Sequence, residues 1–454
     1  MIFISNLAID NSDDIKKEIP IKKQASFFIP LGMTFVLIGT THSLFNAILA
    51  RLPSQEILIS AFAVAKSLMQ VIQNPVAMVR QTVTALVKDR LSYYQVRKFS
   101  MIMVSIVIFI FSIIAFTDLS RLIFKNIMGL KGEVLQKAIT IFKVLVLFPM
   151  AVTLRNFMQG IAIKFRLTPL VTLATIVRVI FVGSILLFID KLSFIPGDIL
   201  SGAMFLGAIT IEGIIMFIGV KIPIRDIPRE LEKIKYKKNI EVNKLSYRFI
   251  FSFFWPLIIT STIKAMAKPI INGGLARTQS PEIAISAYAV AWGLGVIVLS
   301  PLFMFHQVSL NFIDEFNPLS KKSVKKFAIY VSVTLSFIIG VIAFTSVGNF
   351  ILIDLMGITK NIQVMSKDVL KIMTLLPLVV VIRQFYWGIL MKNHKTIYIS
   401  QGKIVNLIAL SITVFLVTFI NPSNPAIIGI IGMLTAEIFE SIFLYFVSEK
   451  KKLI

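Results

Sequence analysis

The chain has 454 residues, 56% of them hydrophobic and only 15% charged, and a mean hydropathy of +0.85, which excludes a water-soluble globular protein of ordinary composition. Its 47 Lys and Arg against 23 Asp and Glu give a formal charge of +24, but the cations punctuate long apolar runs, so they read as loops beside anionic membrane lipid and not as a nucleic-acid surface. Cys is absent, which excludes disulfides, thiolate catalysis and Cys-based metal or iron–sulfur sites.

Residues 1–24 carry Asp10, Asp13, Asp14, Lys16, Lys17, Lys22 and Lys23 without the apolar core of a secretory signal, and read as a short cytoplasmic arm. Twelve apolar stretches follow, each long enough to cross a bilayer as helix: 25–50, 56–87, 97–118, 138–162, 168–189, 197–220, 247–275, 282–313, 324–347, 367–391, 397–420 and 425–447. The expected fold class is therefore an all-α integral membrane protein. Residues 119–130 suit an interfacial helix between the third and fourth spans. The basic segment 223–245, with Arg225, Arg229, Lys233, Lys235, Lys237, Lys238 and Lys244, separates six-helix lobes at 25–222 and 246–449. It reads more as a solvated cytoplasmic linker than as an amphipathic surface helix over Asp226–Lys238. A basic tail, 450–454, closes the chain.

Cations favour alternate loops: Lys88, Arg90, Arg97 and Lys98, then Lys164 and Arg166, then Lys321, Lys322, Lys325 and Lys326, then Lys392 and Lys395. The positive-inside rule then predicts a multi-pass protein of the plasma membrane with both termini cytoplasmic.

The halves repeat. At an offset of 226, residues 27–90 align with 253–316 without a gap and share 22 identities in 64 positions, among them Pro30/Pro256, Asn46/Asn272, Arg51/Arg277, Glu56/Glu282, Pro75/Pro301 and Gln81/Gln307. At 228 the relation continues with Met128-Gly129/Met356-Gly357, Pro149/Pro377, Arg155/Arg383, Gly160/Gly388 and Lys164/Lys392. Six crossings per half give both halves the same orientation, so a pseudo-twofold axis along the membrane normal is expected, with a cavity between the lobes. Pro75, Pro149, Pro301 and Pro377 lie inside spans, where a missing N–H bends a helix.

An ionisable residue inside a bilayer faces a cavity or a partner. The candidates are His42, Lys66, Arg80, Lys143, Arg155, Arg178, Lys264, Lys268, His306 and Arg383, against few acids, Glu212, Glu437 and Glu440. The repeat pairs His42 with Lys268, Arg80 with His306, and Arg155 with Arg383. Convergence of such pairs on the axis would leave room for an anion between them, with Arg155 and Arg383 as planar forks and His42, Lys66, Lys264 and Lys268 shaping the field. Arg80, Lys143 and Arg178 have a structural alternative, snorkelling to a headgroup. The three acids read as ion-pair partners or proton-coupling groups. His42, His306 and His394 lack metal-ligand spacing, and no P-loop, H-E-x-x-H or G-x-S-x-G occurs, so no metal, cofactor or enzymatic activity is expected.

Phe254-Trp255-Pro256-Leu257, Lys268-Pro269-Ile270-Ile271-Asn272, Leu352 to Gly357, and Pro377 to Arg383 with Gly388, Leu390 and Met391 resemble the progressive ankylosis (ANK) protein family. Ile29-Pro30-Leu31-Gly32 and Ala65 to Met69 are similar to it in the first half, so the resemblance runs from about Ile29 to Ser441. It implies the V-shaped, two-lobed fold of the multidrug/oligosaccharidyl-lipid/polysaccharide (MOP, MATE-like) superfamily, and export of phosphate-rich or polycarboxylate anions such as pyrophosphate, nucleotide or citrate. The Lys- and Ile-rich, Cys-free composition looks bacterial. The expected function is thus a secondary exporter of a small anion through a basic central cavity. A flippase for a lipid-linked diphosphate precursor is the alternative, ahead of a multidrug/cation antiporter, which acids in the first two helices would favour, and of a non-transporting scaffold. Substrate or lipid headgroup and membrane lipids are the expected partners.

Overall fold

The computed structural model describes residues 18–165, 167–192, 194–237, 245–313, 317–393 and 395–450. These form twelve helical rods. The first lobe holds α1 (Ile21–Ala50), α2 (Gln55–Ile72, Asn74–Ala77 and Val79–Leu86), α3 (Arg90–Phe116), α4 (Gly132–Lys164), α5 (Thr168–Leu187) and α6 (Gly197–Lys221). The second holds α7 (Tyr247–Leu275), α8 (Pro281–Phe312), α9 (Pro318–Phe344), α10 (Lys360–Met373 and Leu376–Lys392), α11 (Ile397–Ile420) and α12 (Ile427–Lys450). Among the described residues, ten helices are long and apolar enough to cross a membrane on their own. The two rods outside that set are α1, part of which lies outside the side chains described, and α10, whose first segment carries Lys360, Lys367, Asp368 and Lys371.

The rods are interrupted beside Pro75, Pro149, Pro301 and Pro377. Pro75 opens Asn74–Ala77 after α2 pauses at Gln73, and Pro149 follows a 3-10 turn at Leu145–Leu147. Pro301 lies in the 3-10 turn Ser300–Met304, and Pro377 restarts α10 after Met373. A proline supplies no N–H to the preceding turn, so the rod restarts where the ring fits, at a first-turn position.

The repeat extends to contacts between the lobes. Asn46 Nδ2 donates to the Ala289 carbonyl (2.9 Å), and its mate Asn272 Nδ2 donates to the Ala63 carbonyl (3.3 Å). Phe28 meets Phe327 edge to face, as Phe254 meets Phe99. Towards the end carrying the termini α1 meets α8, with Phe27 and Phe28 against Phe312 and Phe305, and near mid-span Asn74 Nδ2 donates to the hydroxyls of Ser261 and Thr262 on α7.

At the opposite end the two lobes are latched. The segment after α3 forms a short helix (Leu119–Leu122) and a π turn (Ile123–Ile127), and the segment after α9 forms Ser346–Asn349 and a π turn (Phe350–Leu355). Gly129 (φ 80°) and Gly357 (φ 74°) end these turns in the left-handed region, which favours glycine and accounts for the repeated Met-Gly pair. Arg277 Nη2 donates to the exposed Ile127 carbonyl (2.7 Å) and Arg51 Nη2 to that of Leu355 (3.1 Å), each reaching into the other lobe. Thr359 adds bonds to Gln55 and Glu56 (both 3.2 Å). A guanidinium–carbonyl bond at such a wet position stabilises by about 0.5–1.5 kcal/mol, so losing both shifts the open–closed balance about tenfold. In a chain without native Cys, Ala267→Cys in the cavity wall reports this. A membrane-impermeant thiol reagent applied from the latched face should label it about tenfold faster in Arg51→Ala/Arg277→Ala; an unchanged rate means the arginines do not hold the lobes together.

The basic segment between the lobes differs from the solvated linker expected of it. Residues Ile227–Lys237 form a helix whose Ile227 and Leu231 are buried and whose Glu232 accepts from the Arg90 backbone N–H (3.2 Å) at the head of α3. The i, i+4 apolar pair gives this helix a face to dock, which a count of its charges hides. Lys238 and Lys244, most of the N-terminal arm and the tail beyond Lys450 lie outside the described residues.

Candidate functional site

Between the lobes lies a cavity of about 540 Å³ walled by α1, α2, α7, α8, α10, α11 and α12. His42, Lys66, Lys264, Lys268 and Arg383 line it, joined by Lys403 and opposed by one carboxylate, Glu437. Lys264 and Lys268 sit one turn apart on α7 and are exposed to the cavity, and Lys268 Nζ donates to Gln70 Oε1 (3.1 Å) across to α2. Lys66 Nζ lies 3.0 Å from His42 Nδ1 and over the rings of Phe62 and Phe205 at 5.4 and 4.8 Å. His306 joins the wall, bonded to Gln384 Oε1 (3.2 Å), and Tyr288, Trp292 and Trp387 give it aromatic faces. Asn46 and Asn272 seal the cavity on its latched side through their cross-lobe bonds.

The expectation that Arg155 and Arg383 meet across the cleft is not met. Each lies within its own lobe, held by a carboxylate from the lobe's sixth helix, because an unpaired cation in an apolar bundle is costly. Arg383 is buried; its Nη1 donates to Glu437 Oε1 (2.8 Å) and lies 3.8 Å from Glu440 Oε2, which Lys403 (2.7 Å) and Asn406 (2.9 Å) also engage. Arg155 is absent from the cavity wall. It lies 3.3 Å from Glu212 Oε2, which Arg178 Nη1 also reaches (2.7 Å), while Gln159 bonds Glu212 Oε1. Arg178 is thus a buried ion-pair member, not a snorkelling residue, whereas Lys143 is exposed on α4. Arg80 is exposed and donates to Gln159 (3.4 Å).

These two clusters are repeat mates, since Glu212 stands at the same 228-residue offset from Glu440 as Arg155 from Arg383, and Thr175 and Arg178 from Lys403 and Asn406. They differ in charge. Glu212 alone faces Arg155 and Arg178 in the first lobe, whereas Glu437 and Glu440 balance Arg383 and Lys403 in the second. Sequence reasoning missed Lys403, Asn406 and the aromatic wall; the signal for Asn406 was the repeat, which maps Arg178 onto it. Among the described residues no group of His, Asp and Glu could hold a metal ion, and His394 lies outside them.

Comparison with solved structures places the fold. An inward-facing multidrug resistance MATE family transporter of the MOP superfamily superposes with a TM-score of 0.68 at 15% identity, over 93% of this chain and 98% of that one. An outward-facing MATE family transporter gives 0.59 at 15% identity over 97% of each chain. The lipid II flippase MurJ in an inward closed conformation also gives 0.59, at 13% identity over 94% of this chain and 89% of that one. Such identities speak for the two-lobed fold alone. In sequence, residues 14–282 match the family described as progressive ankylosis protein (ANKH), more than half of the chain. With its apolar helical rods, its internal repeat and this match, the chain is a multi-pass membrane protein that belongs to the progressive ankylosis protein family.

Proposed function

We propose that the chain is a secondary transporter that exports a small phosphate-rich or polycarboxylate anion by alternating access of its basic central cavity. The observation that carries this reading is Lys264 and Lys268: both reach into the open cavity, and among the described residues neither has a carboxylate within ion-pair distance. Two such charges in a low-dielectric wall stabilise an anion between them and repel a cation. Arg383 and Lys403, neutralised by Glu437 and Glu440, lend polarity and shape to that wall and leave the field to the α7 lysines and Lys66. The latch supports closure of one face, and broken rods at four prolines give the lobes places to bend. By the distribution of cations, the latched face is external and both termini are cytoplasmic.

A lipid-linked diphosphate is the second reading, and one observation bears on it. An apolar groove of about 600 Å³ runs between α9, α10 and α12, with Lys325 at one end. It uses the face of α10 bearing Leu378, Ile382 and Phe385, whereas the cavity uses the face bearing Val380, Arg383 and Trp387. A tail in that groove and a headgroup in the cavity would lie on opposite sides of one helix, which favours the small anion. Proteoliposomes loaded with citrate, pyrophosphate or ATP test the choice. Saturable exchange of at least one labelled anion is expected; none with all three, together with translocation of a fluorescent lipid-linked diphosphate, would make the chain a flippase.

A further inference from the structure

On the first-lobe wall of the cavity, His42 of α1 and Lys66 of α2 share one hydrogen bond, 3.0 Å between Nδ1 and Nζ. A bond between two nitrogens needs one N–H and one lone pair. An imidazolium and an ammonium have no lone pair between them, so the pair as it stands carries at most one positive charge, and protonation of both groups would break the bond and set two like charges side by side. The charged and titratable groups around it come from every neighbouring helix. From α5, Arg178 donates to Thr41 Oγ1, the residue before His42, and its carboxylate partner Glu212 of α6 is occupied by two arginines. From α7 come Lys264 and Lys268, and from α8 Tyr288 and His306. Among the described residues no carboxylate reaches His42 or Lys66 to favour double protonation.

We propose that His42 and Lys66 form a proton site through which loading of an anion takes up one proton. In the empty cavity the pair holds one shared proton. In the loaded cavity, anion oxygens enter between the two nitrogens, accept from both, and stabilise the doubly protonated form that was excluded before. The proton comes from water on the side where the anion enters and leaves by the other side with it, so the cargo crosses with one negative charge fewer. The aromatic rings under Lys66 keep water from solvating its ammonium on that side, which makes the exchange of hydrogen-bond partner, His42 for anion, the event that admits the proton.

This inference rests on the anion-carrier reading, and its test separates the two. Citrate is titrated calorimetrically into the full chain in detergent at about pH 8, where its carboxyls carry almost no proton, in two buffers of different ionisation heat. The buffer dependence of the heat counts protons taken up. The wild type is expected to take up about one proton per citrate more than His42→Gln, in which the second nitrogen that binds a proton is gone. A count near zero in the wild type overturns the proton site whatever the variant does, and so does an equal count in the variant; in both cases citrate still binds and the anion reading stands. A folded wild-type chain that binds neither citrate nor pyrophosphate overturns both.

Discussion

Arg383→Met is expected to destabilise the second lobe by about 3–5 kcal/mol, the usual penalty for removing one partner of a buried ion pair. Glu437 and Glu440 would be left with Lys403 alone to balance two buried carboxylates. Trp387 lies against the guanidinium at 5.1 Å, so its fluorescence during thermal unfolding in detergent reports the loss locally. The companion Arg383→Met/Glu437→Gln should recover most of the stability, because it removes matched charges. Arg155→Met should cost distinctly less: Glu212 keeps Arg178 at 2.7 Å, and Arg155 is 20% exposed. Equal unfolding temperatures for wild type and Arg383→Met would mean that the cluster does not hold the lobe, and that this arginine is free for a ligand.

The same comparison locates what the amino-acid sequence could and could not convey. Spans, repeat and interruptions were readable because each rests on local chemistry: apolar length, register of identities, prolines. The sequence spans also agree closely with the rods, for example 197–220 against Gly197–Lys221. Side-chain direction was not readable. Arg155 and Arg383 occupy equivalent positions, yet Arg383 lines the cavity and Arg155 does not, since the second lobe places an extra acid, Glu437, where the first has Ile209. That acid draws Arg383 toward the cavity wall. A list of intramembrane charges gives their number and leaves their pairing to tertiary packing. Lys403 was overlooked for a related reason: it stands only six residues into α11, where a cation ordinarily belongs to the loop, but the helix packs against α12 and buries it on Glu440. The docked helix Ile227–Lys237 is masked by its own charges, which outnumber the Ile227/Leu231 pair that marks its apolar face.

The lysines of α7 are proposed to hold an anion between the lobes. Lys264→Gln/Lys268→Gln removes two cavity charges that support no ion pair among the described residues, so the protein should fold and keep its wild-type unfolding temperature within a few degrees. Anion affinity should suffer far more. Each charge-assisted contact is worth about 1.5–3 kcal/mol, and losing two lowers kcat/KM for exchange by roughly two to four orders of magnitude. Single variants should fall between wild type and double variant, with Lys268→Gln also releasing Gln70 on α2. The decisive measurement is labelled-anion exchange in proteoliposomes containing the double variant beside the wild type, with whichever of citrate, pyrophosphate or ATP the wild type exchanges. Exchange reduced at least a hundredfold in a folded variant is the predicted result; exchange at the wild-type rate and affinity would contradict the account and move the anion's site out of this cavity.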